Sequence, residues 1–252
     1  MAGGVTVRTL ALDLGNSTLF AGLFDGERLL RSARLEADRA ALCRFVGSKI
    51  DRVALCSVVP DRTAALVKTV RSALSIEPLV LTPLSDHGLK IAYTVPAKLG
   101  ADRVAVALGA TKLFPKQNAI VVDCGTATTL TFLCRDGMLL GGAILPGLDL
   151  WPRALARHTA RLPEVKLRPA RHVVARDTED ALRSGILHGH AGAIRELIRE
   201  GRREVFGRAR AVVLGTGGQV THFNRHRLFT AVEPGLILHG LQLFATRQTT
   251  HA

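Results

Sequence analysis

The feature that most constrains this chain is a short pattern that occurs twice: an apolar run ends in Asp, then one residue, then Gly. The first copy reads L-A-L-D-L-G-N-S-T from Leu10 to Thr18, and the second reads A-I-V-V-D-C-G-T-A-T-T from Ala119 to Thr129. Each apolar run has the length of a buried strand, and a carboxylate at the end of such a strand is costly to bury. A single copy is often a plain β-turn. Two matched copies about 110 residues apart predict a duplicated fold with a ligand between the halves.

The residues around each Gly suit a nucleotide. Gly lets backbone N–H groups approach a ligand closely, and hydroxyl side chains follow it in both copies. An Asp that orients a metal ion, next to a turn that holds phosphate oxygens, is typical of a nucleotide site. The pattern G-x-x-x-x-G-K-[ST] does not occur in the sequence, so this is not a P-loop enzyme.

Composition indicates an ordinary globular protein. The 252 residues are 47% hydrophobic and 22% charged, and no apolar run approaches the ~18 residues of a membrane span. The first residues lack the pattern of a signal peptide, so we expect a cytoplasmic protein without a membrane partner. The four cysteines lack C-x-x-C spacing, which argues against a zinc site, and Cys124 is expected to be small apolar filler.

The net charge of +13 allows either a nucleic-acid surface or an anionic small-molecule substrate. The basic residues are spread along the chain, and an aromatic content of 4% leaves few platforms for stacking bases. We therefore expect a solvated Arg-rich surface and no nucleic-acid partner.

Periodicity and turn signals predict the same order of elements twice. Three strands, a helix, a strand, a helix and a short strand are expected at 6–13, 18–25, 28–36, 38–47, 52–59, 61–74 and 79–81. A helix at 101–114 ends before Pro115, and three strands then recur at 118–123, 128–134 and 138–145. The remaining expected elements are helices at 148–158 and 178–199, strands at 211–214 and 228–232, and a last helix at 234–246 with Pro in its first turn.

This order matches the actin, sugar-kinase and Hsp70 layout. It predicts an α/β fold of two halves, each a mixed sheet flanked by helices, with ATP in the cleft between them. The expected halves are residues 1–114 and 115–252, and the last helix could pack back on the first half. A late G-T-G-G turn at 215–218 is either a tight turn or an adenosine contact.

More specific motifs resemble the type III pantothenate kinases, the Bvg accessory factor family. The resemblance runs almost end to end, and its motifs are D-L-G-N-S at 13–17, S-V-V-P at 57–60, Y-T-V-P at 93–96, G-A-D-R at 100–103, D-C-G-T-A-T-T at 123–129, G-G-A-I-L-P-G at 141–147 and D-T-E-D-A-L-R-S-G at 177–185. It implies the duplicated actin-like (ribonuclease H-like) fold. It also implies that ATP phosphorylates the terminal hydroxyl of pantothenate to 4'-phosphopantothenate, the first step of coenzyme A synthesis.

The resemblance also implies the site. Asp102 would be the proton acceptor, although a carboxylate in the first turn of a helix is expected to be stabilised as an anion and so to be a weaker base. The implied substrate-binding residues are Tyr93, Gly100, Ala101, Asp102, Arg103 and Thr178. The implied ATP-binding residues are Asp13, Leu14, Gly15, Asn16, Ser17, Thr18, Leu19, Phe20 and Thr126. Asp123 would hold a monovalent cation, K⁺ or NH₄⁺, Asp13 is a candidate ligand of the Mg²⁺ that accompanies ATP, and the family implies a homodimer.

Each assigned residue also has a plainer interpretation. Asp102 could simply cap the helix, Arg103 could be a surface residue, Tyr93 could be packed under a loop, and Asp177 or Thr178 could be an ordinary cap. Two departures from the family pattern concern the pocket: Val106 stands where Asn is usual, and Ala175 to Asp177 replace a Gly-Asn. An actin-like kinase for another small hydroxyl substrate, or a non-catalytic regulatory member of the fold, are the alternatives.

Overall fold

The computed structural model describes residues 6–16, 18–170 and 172–250, apart from the side chains of residues 249 and 250. The described chain contains eleven strands and six α-helices. In chain order these are β1 (Arg8–Leu14), β2 (Leu19–Asp25), β3 (Arg28–Leu35), α1 (Arg39–Val46), β4 (Arg52–Ser57), α2 (Pro60–Leu74), β5 (Leu79–Val80), β6 (Lys90–Ile91), α3 (Ala101–Leu113), β7 (Asn118–Cys124), β8 (Ala127–Leu133), β9 (Met138–Pro146), α4 (Leu150–His158), α5 (Thr178–Phe206), β10 (Ala211–Thr216), β11 (Ala231–Val232) and α6 (Leu236–Thr250).

The chain divides into two compact units. Unit 1 consists of residues up to Pro115, the short stretch Gly137–Leu139, and residues from Gly235 onwards. Unit 2 consists of Lys116–Asp136 and Leu140–Pro234. The C-terminal helix α6 therefore belongs to the same unit as the N-terminal strands.

The two sheets repeat one topology, as the duplicated pattern predicts. The sheet of unit 1 has the order β3-β2-β1-β4-β5, and the second sheet contains the corresponding run β9-β8-β7-β10-β11. In both, the first strand pairs antiparallel with the second and parallel with the later strand β4 or β10. In addition, β6 pairs in parallel with the first residues of β9. Both sheets are mixed and flanked by helices, which confirms the expected fold class.

Strand alternation decides what each face of the unit 1 sheet carries. Leu10, Leu12 and Leu14 of β1 are fully buried in the hydrophobic core formed with α1 and α2. The intervening residues of β1, among them Asp13, point to the opposite face. The helices α3 and α6 pack against this unit, and α6 contacts β1 and β4. The alternation therefore places Asp13 on the face away from the α1 and α2 core.

The crossing of α3 and α6 depends on two glycines. A Cβ atom at Gly240 would overlap the carbonyl oxygen of Ala105, and one at Gly109 would overlap that of Leu236. The two helix backbones are therefore in direct contact, and this contact holds α3 against the sheet.

Helix boundaries follow the local capping signals in most places. Asp38 accepts a hydrogen bond from the backbone N–H of Ala41, and Gly47 ends α1 in the left-handed region at φ 62°. The first helix of unit 2 begins at Leu150 rather than Leu148, and α5 runs to Phe206, beyond the expected end at Arg199. Two Glu–Arg pairs spaced three apart, Glu196–Arg199 and Glu200–Arg203, carry the helix across the expected end, and Phe206 packs against the core of unit 2.

Three further expectations about the C-terminal third are corrected. The strand expected at 228–232 is reduced to Ala231–Val232. The last helix begins at Leu236, so Pro234 precedes it rather than occupying its first turn, and the helix runs past Thr246. The N-cap of α5 is Asp177, whose side chain accepts from the backbone N–H of Asp180, so Thr178 is not the cap. Among the described residues, none of the helices has both the length and the apolar composition required to cross a membrane.

Candidate active site

The first Asp–Gly turn lies between β1 and β2 of unit 1. The backbone N–H of Gly15 donates to the carbonyl oxygen of Thr18 at 3.0 Å, which closes a tight turn directly after the strand that carries Asp13. The side chains of Asn16 and Thr18 are exposed at this turn. Leu14 and Leu19 are buried in the core, so only their backbone atoms are available to a ligand, and Phe20 is half-buried. Ser17 was also predicted to contact ATP, and it lies outside the described residues.

Asp13 is held by a neighbour that the sequence did not indicate. Cys56 is its parallel partner in β4, and the Cys56 thiol donates to Asp13 Oδ1 at 3.4 Å. Burial raises the pKa of Asp13 to about 7, the Cys56 hydrogen bond opposes this, and the negative charge of Asp102 raises the pKa further. Asp13 therefore carries a proton far more readily than an ordinary aspartate.

Arg62 also was not singled out from the sequence, and it contacts the same turn. Its Nη1 donates to the carbonyl oxygens of Asn16 at 3.0 Å and Gly15 at 3.3 Å. Arg62 lies in the first turns of α2, two residues after Pro60. The S-V-V-P motif in the sequence indicated that a helix begins after β4. It did not indicate that Arg62 reaches the Asp–Gly turn, because this contact depends on the parallel pairing of β1 with β4.

The G-A-D-R motif forms the start of α3. Gly100 is the N-cap residue, and its carbonyl oxygen accepts from the N–H groups of Arg103 and Val104. A Cβ atom at Gly100 would overlap Oδ1 of Asp102. A larger residue here would displace the Asp102 carboxylate from this position, and Asp102 itself is not the cap.

Arg103 is buried and paired with Tyr93. Arg103 is only 4% exposed, so the interpretation of this arginine as a surface residue is wrong. Its Nη1 donates to the Tyr93 hydroxyl at 2.8 Å, and its guanidinium carbon lies 5.7 Å from the centre of the Tyr93 ring. Tyr93 is thus tied to a charged group rather than packed among apolar side chains alone.

Asp102 is a stronger base than the sequence argument indicated. Its Oδ1 accepts from the backbone N–H of Arg103 at 2.8 Å. Burial raises the pKa of Asp102, and the hydrogen bond and the positive charge of Arg103 only partly offset this. The expected stabilisation of the anion by the helix start is therefore outweighed by desolvation, which the sequence does not report.

Unit 1 thus brings together the acidic pair Asp13 and Asp102 and the basic residue Arg103. The repulsion that Asp102 exerts on Asp13 shows that the two carboxylates share one electrostatic environment. Ala101 is buried next to them, and the nearby departure from the family pattern, Val106, is buried at 1% exposure one helical turn after Asp102.

The second Asp–Gly turn lies between β7 and β8 of unit 2 and repeats the first. The backbone N–H of Gly125 donates to the carbonyl oxygen of Ala127 at 3.1 Å. Asp123 pairs with Thr129 of β8 on one side and with Thr216 of β10 on the other. Thr126 is exposed at the tip of the turn.

The G-T-G-G segment approaches this turn within unit 2. Gly217 adopts φ +87°, and a Cβ atom there would overlap Asp123 Oδ1 and lie 2.7 Å from backbone atoms of Cys124. The glycine therefore lets the backbone pass directly over the Asp123 carboxylate. A second glycine, Gly147, makes an equally close approach to the carbonyl oxygens of Gly125 and Thr126. The neighbouring residue Cys124 is fully buried in the core, and this burial raises the pKa of its thiol.

Thr178 and its neighbourhood are exposed. Thr178 is the first residue of α5, and the preceding stretch, which includes the second departure at Ala175, has irregular structure. Unit 2 carries Thr178, Thr126 and Asp123, whereas the G-A-D-R motif belongs to unit 1.

His190 is a buried polar residue whose role the sequence did not indicate. Trp151 Nε1 donates to His190 Nδ1 at 3.2 Å, so the ring proton is on Nε2, which lies 3.0 Å from Thr128 Oγ1. Burial lowers the pKa of His190, which keeps the ring neutral. The residue links α4 and α5 to the strand β8 that flanks Asp123.

The described residues contain no group of three or more His, Cys, Asp or Glu side chains arranged to hold a metal ion. A cation at either turn would therefore need backbone oxygens, phosphate oxygens or water in addition to carboxylate groups.

Comparison with known proteins identifies the family of this chain. A protein-family model described as type III pantothenate kinase matches residues 9–200. A type III pantothenate kinase of Legionella pneumophila (strain Corby) is 37% identical, over 95% of this chain and 99% of its own length. Type III pantothenate kinase 1 of Francisella tularensis subsp. holarctica is 33% identical, over 93% of this chain and 97% of its own length. Among solved structures, an archaeal actin homolog superposes with a TM-score of 0.56 at 13% identity, covering 98% of this chain and all of its own, which indicates a shared fold. The chain therefore belongs to the type III pantothenate kinase family.

Proposed function

We propose that this protein is an ATP-dependent pantothenate kinase, which phosphorylates the terminal hydroxyl of pantothenate at the first step of coenzyme A synthesis. The family and the two named relatives support this activity. The observation that carries the proposal is the start of α3, where a carboxylate of raised pKa adjoins a buried arginine.

Asp102 is proposed as the proton acceptor. Transfer of the γ-phosphoryl group requires the pantothenate hydroxyl to lose its proton as the new P–O bond forms and the bond to ADP breaks. A carboxyl group with a raised pKa accepts that proton better than an ordinary aspartate does. Because phosphoryl transfer passes through a loose transition state, the main task of the residue is to orient the hydroxyl.

Arg103 and Tyr93 are proposed to hold pantothenate. The guanidinium group is charged at all relevant pH values, so it can bind the substrate's carboxylate. One of its N–H donors bonds to the Tyr93 hydroxyl, which places the two side chains together. Gly100 and Ala101 are proposed to contribute backbone contacts, and Thr178 a hydroxyl contact.

The Asp13 turn is proposed to bind ATP through Asp13, Asn16, Thr18 and the backbone of Leu14 to Phe20, with Ser17 and Thr126 as further contacts. The residues present fit Mg²⁺, because Asp13 and Asp102 repel each other and a divalent cation would relieve that repulsion. Mg²⁺ would neutralise charge on the phosphate oxygens. Asp13 would orient the metal, and Arg62 would keep the turn in place.

Asp123 is proposed to hold a monovalent cation, K⁺ or NH₄⁺. The hydroxyl-bearing residues Thr129 and Thr216 flank it in the sheet, and the backbone at Gly217 lies against its carboxylate. Such a site offers oxygen ligands and a single negative charge, which suits a weakly hydrated monovalent ion.

We also propose that the protein is a cytoplasmic homodimer. Large apolar side chains are exposed on one stretch of unit 2, namely Ile144, Leu150, Trp151, Val173 and Val174. Ile144 and Val174 are 67% and 85% exposed, and we take these side chains as the surface that a second protomer covers. Sedimentation of the wild type and of Ile144→Asp tests this: a dimer that becomes monomeric supports the proposal, and a wild-type monomer refutes it.

The activity is tested by incubating the purified protein with ATP, Mg²⁺, K⁺ and pantothenate and measuring phosphopantothenate. A folded protein that forms no product would refute the activity. Replacing K⁺ with Na⁺ in a parallel sample tests the cation, and Asp123→Ala should abolish any difference between the two salts.

The assigned base is tested with Asp102→Asn, which should lower kcat by about 100-fold or more. Asp61→Asn, an exposed aspartate in the first turn of α2, is the matched control and should leave kcat unchanged. Undiminished turnover in Asp102→Asn would show that the base lies elsewhere.

Val106 favours a second candidate, a kinase for a different small hydroxyl substrate. Its buried apolar side chain cannot donate the hydrogen bond that an Asn would offer at this position. A panel of hydroxyl compounds distinguishes the two candidates, since a better substrate than pantothenate would show a changed pocket.

A further inference from the structure

Unit 2 contains a basic pocket at the end of its sheet opposite the Asp123 turn. The cavity has a volume of about 500 Å³, and its lining includes four basic side chains, Lys116, Arg135, Arg202 and Arg210. The pocket opens where β7 begins at Asn118, and Asp123 lies five residues further along the strand. At about 3.3 Å per residue this separates the two sites by roughly 16 Å.

The charge in this pocket is uncompensated within the described part of the chain. No aspartate or glutamate is among its lining residues, and none of the four basic side chains forms a salt bridge there. Elsewhere in unit 2 the basic residues Arg183, Arg199 and Arg203 are each paired with a glutamate or aspartate. A concave surface with one sign of charge concentrates the field and attracts counter-ions.

The pocket is held together by specific hydrogen bonds. Asn118 lines the pocket: its Oδ1 accepts from the backbone N–H of Arg135 at 3.0 Å, and its Nδ2 donates to the carbonyl oxygen of Arg210 at 3.1 Å. One side chain therefore fixes the two segments that carry these arginines relative to each other.

Arg202 provides an independent sign of a missing ligand. Its Nη2 donates to the carbonyl oxygen of Ala211 at 3.3 Å, which holds the guanidinium at the pocket. Its Nε is buried and has no hydrogen-bond partner within the described residues. An unpaired buried donor is costly, and an acceptor oxygen in the pocket would satisfy it.

We propose that this pocket binds a small anion with two or more phosphoryl groups. Arginine forks suit phosphate oxygens, and the cavity volume lies in the range of small-molecule sites. The lining residues contain no aromatic side chain, so recognition rests on the phosphoryl groups and not on stacking of a base. This proposal is independent of the kinase activity.

The test is isothermal titration of tripolyphosphate into the full-length protein. Arg135→Gln/Arg210→Gln should weaken binding by about tenfold or more, because two charge-assisted contacts are lost. The matched control is Arg39→Gln/Arg44→Gln, which removes the same charge from exposed positions on α1. It should change the affinity by less than about twofold, since separated surface charges are screened.

Three results would overturn the proposal. The first is that tripolyphosphate does not bind. The second is that both double variants weaken binding equally. The third is that Arg135→Gln/Arg210→Gln leaves binding unchanged, which would assign the anion to another site. Lys116→Gln, a single exposed change, gives a second reading and should weaken binding by a smaller factor. Duplex DNA is titrated in parallel, and binding of DNA that depends on Arg135 and Arg210 without binding of tripolyphosphate would identify a nucleic-acid surface instead.

Discussion

Arg103 donates a 2.8 Å hydrogen bond to the hydroxyl of Tyr93, and the aromatic ring of Tyr93 also lies beside the guanidinium group. The arginine is 4% exposed, and this hydrogen bond is one of the contacts that orient its guanidinium group. The pair joins the irregular segment before α3 to the helix that carries Asp102.

Tyr93→Phe separates the two parts of this contact, because the ring remains and only the hydroxyl is lost. A hydrogen bond to a charged group contributes about 1.5–3 kcal/mol. We therefore expect the KM for pantothenate to rise by about tenfold or more, with a smaller effect on kcat. Steady-state kinetics measure both constants, and an unchanged KM would show that Arg103 does not need Tyr93 to bind the substrate.

The raised pKa of Asp13 predicts a loss of stability as the pH rises. In the folded protein the carboxyl group holds its proton up to about pH 7, whereas its ordinary pKa is 3.8. Below about pH 4 the carboxyl group is protonated in both the folded and the unfolded chain. Between pH 4 and pH 7 only the unfolded chain releases the proton, so the free energy of unfolding should fall by up to about 4 kcal/mol.

Denaturant unfolding in EDTA across this pH range measures the effect, with Asp13→Asn as the comparison. The variant should lack this fall and should be more stable than the wild type above pH 7. Parallel pH profiles for the two proteins would show that Asp13 ionises normally.

His190 predicts a pH dependence of the opposite sign. Its pKa is lowered by burial, so below about pH 6.5 the unfolded chain binds a proton that the folded protein excludes. Stability from this group is present above pH 6.5 and is lost as the pH falls. The Trp151 N–H group donates to Nδ1, so a proton on that nitrogen would also break this hydrogen bond.

His190→Gln should therefore show a shallower loss of stability than the wild type between pH 7 and pH 5. The control is His158→Gln at an exposed position at the end of α4. Thermal unfolding at several pH values measures the slopes, and equal slopes for His190→Gln and the wild type would contradict the prediction. Trp151→Phe should cost about 1 kcal/mol at neutral pH.

The close crossing of α3 and α6 predicts that a Gly→Ala substitution in it lowers stability, whereas the same substitution at an open helix position does not. Gly240→Ala adds a methyl group against the carbonyl oxygen of Ala105, and overpacking of this kind costs about 1–3 kcal/mol. Gly192→Ala in α5 meets no other atom within 4 Å. It should be neutral or stabilise the protein by about 0.4–1 kcal/mol. Denaturant midpoints decide this, and equal effects at both positions would show that the helices can separate without cost.

Much of the fold could be predicted because its signals are local. Alternation in the strands, the Asp–Gly turns and the caps at Asp38 and Gly47 act within a few residues, and the duplicated topology follows from their repetition. The exact ends of α5 and α6 were wrong because they depend on surface ion pairs and on packing between helices, which leave no periodic pattern in the sequence.

The candidate site was predictable where a motif carries it. The G-A-D-R motif indicated Asp102 and Arg103, but not their burial, which reverses the expected effect on the Asp102 pKa. Cys56, Arg62 and His190 were missed because each acts through a neighbour distant in sequence: Cys56 is 43 residues from Asp13, and His190 is 62 residues from Thr128. Such pairs become visible only when the strand register and the packing of the helices on the sheets are known.

The close contact of α6 with α3 has a consequence for how the protein is made. Residues from Gly235 onwards complete the unit whose strands begin at Arg8. All of unit 2 is synthesised after Pro115 and before Gly235, between these two parts of unit 1. On the ribosome, the N-terminal strands and α3 must therefore wait, with the surface around Gly109 uncovered, until the last helix emerges. Unit 2 is continuous apart from one short stretch and can begin to fold earlier. We expect unit 1, although it is translated first, to be the part of a nascent chain that relies on chaperones.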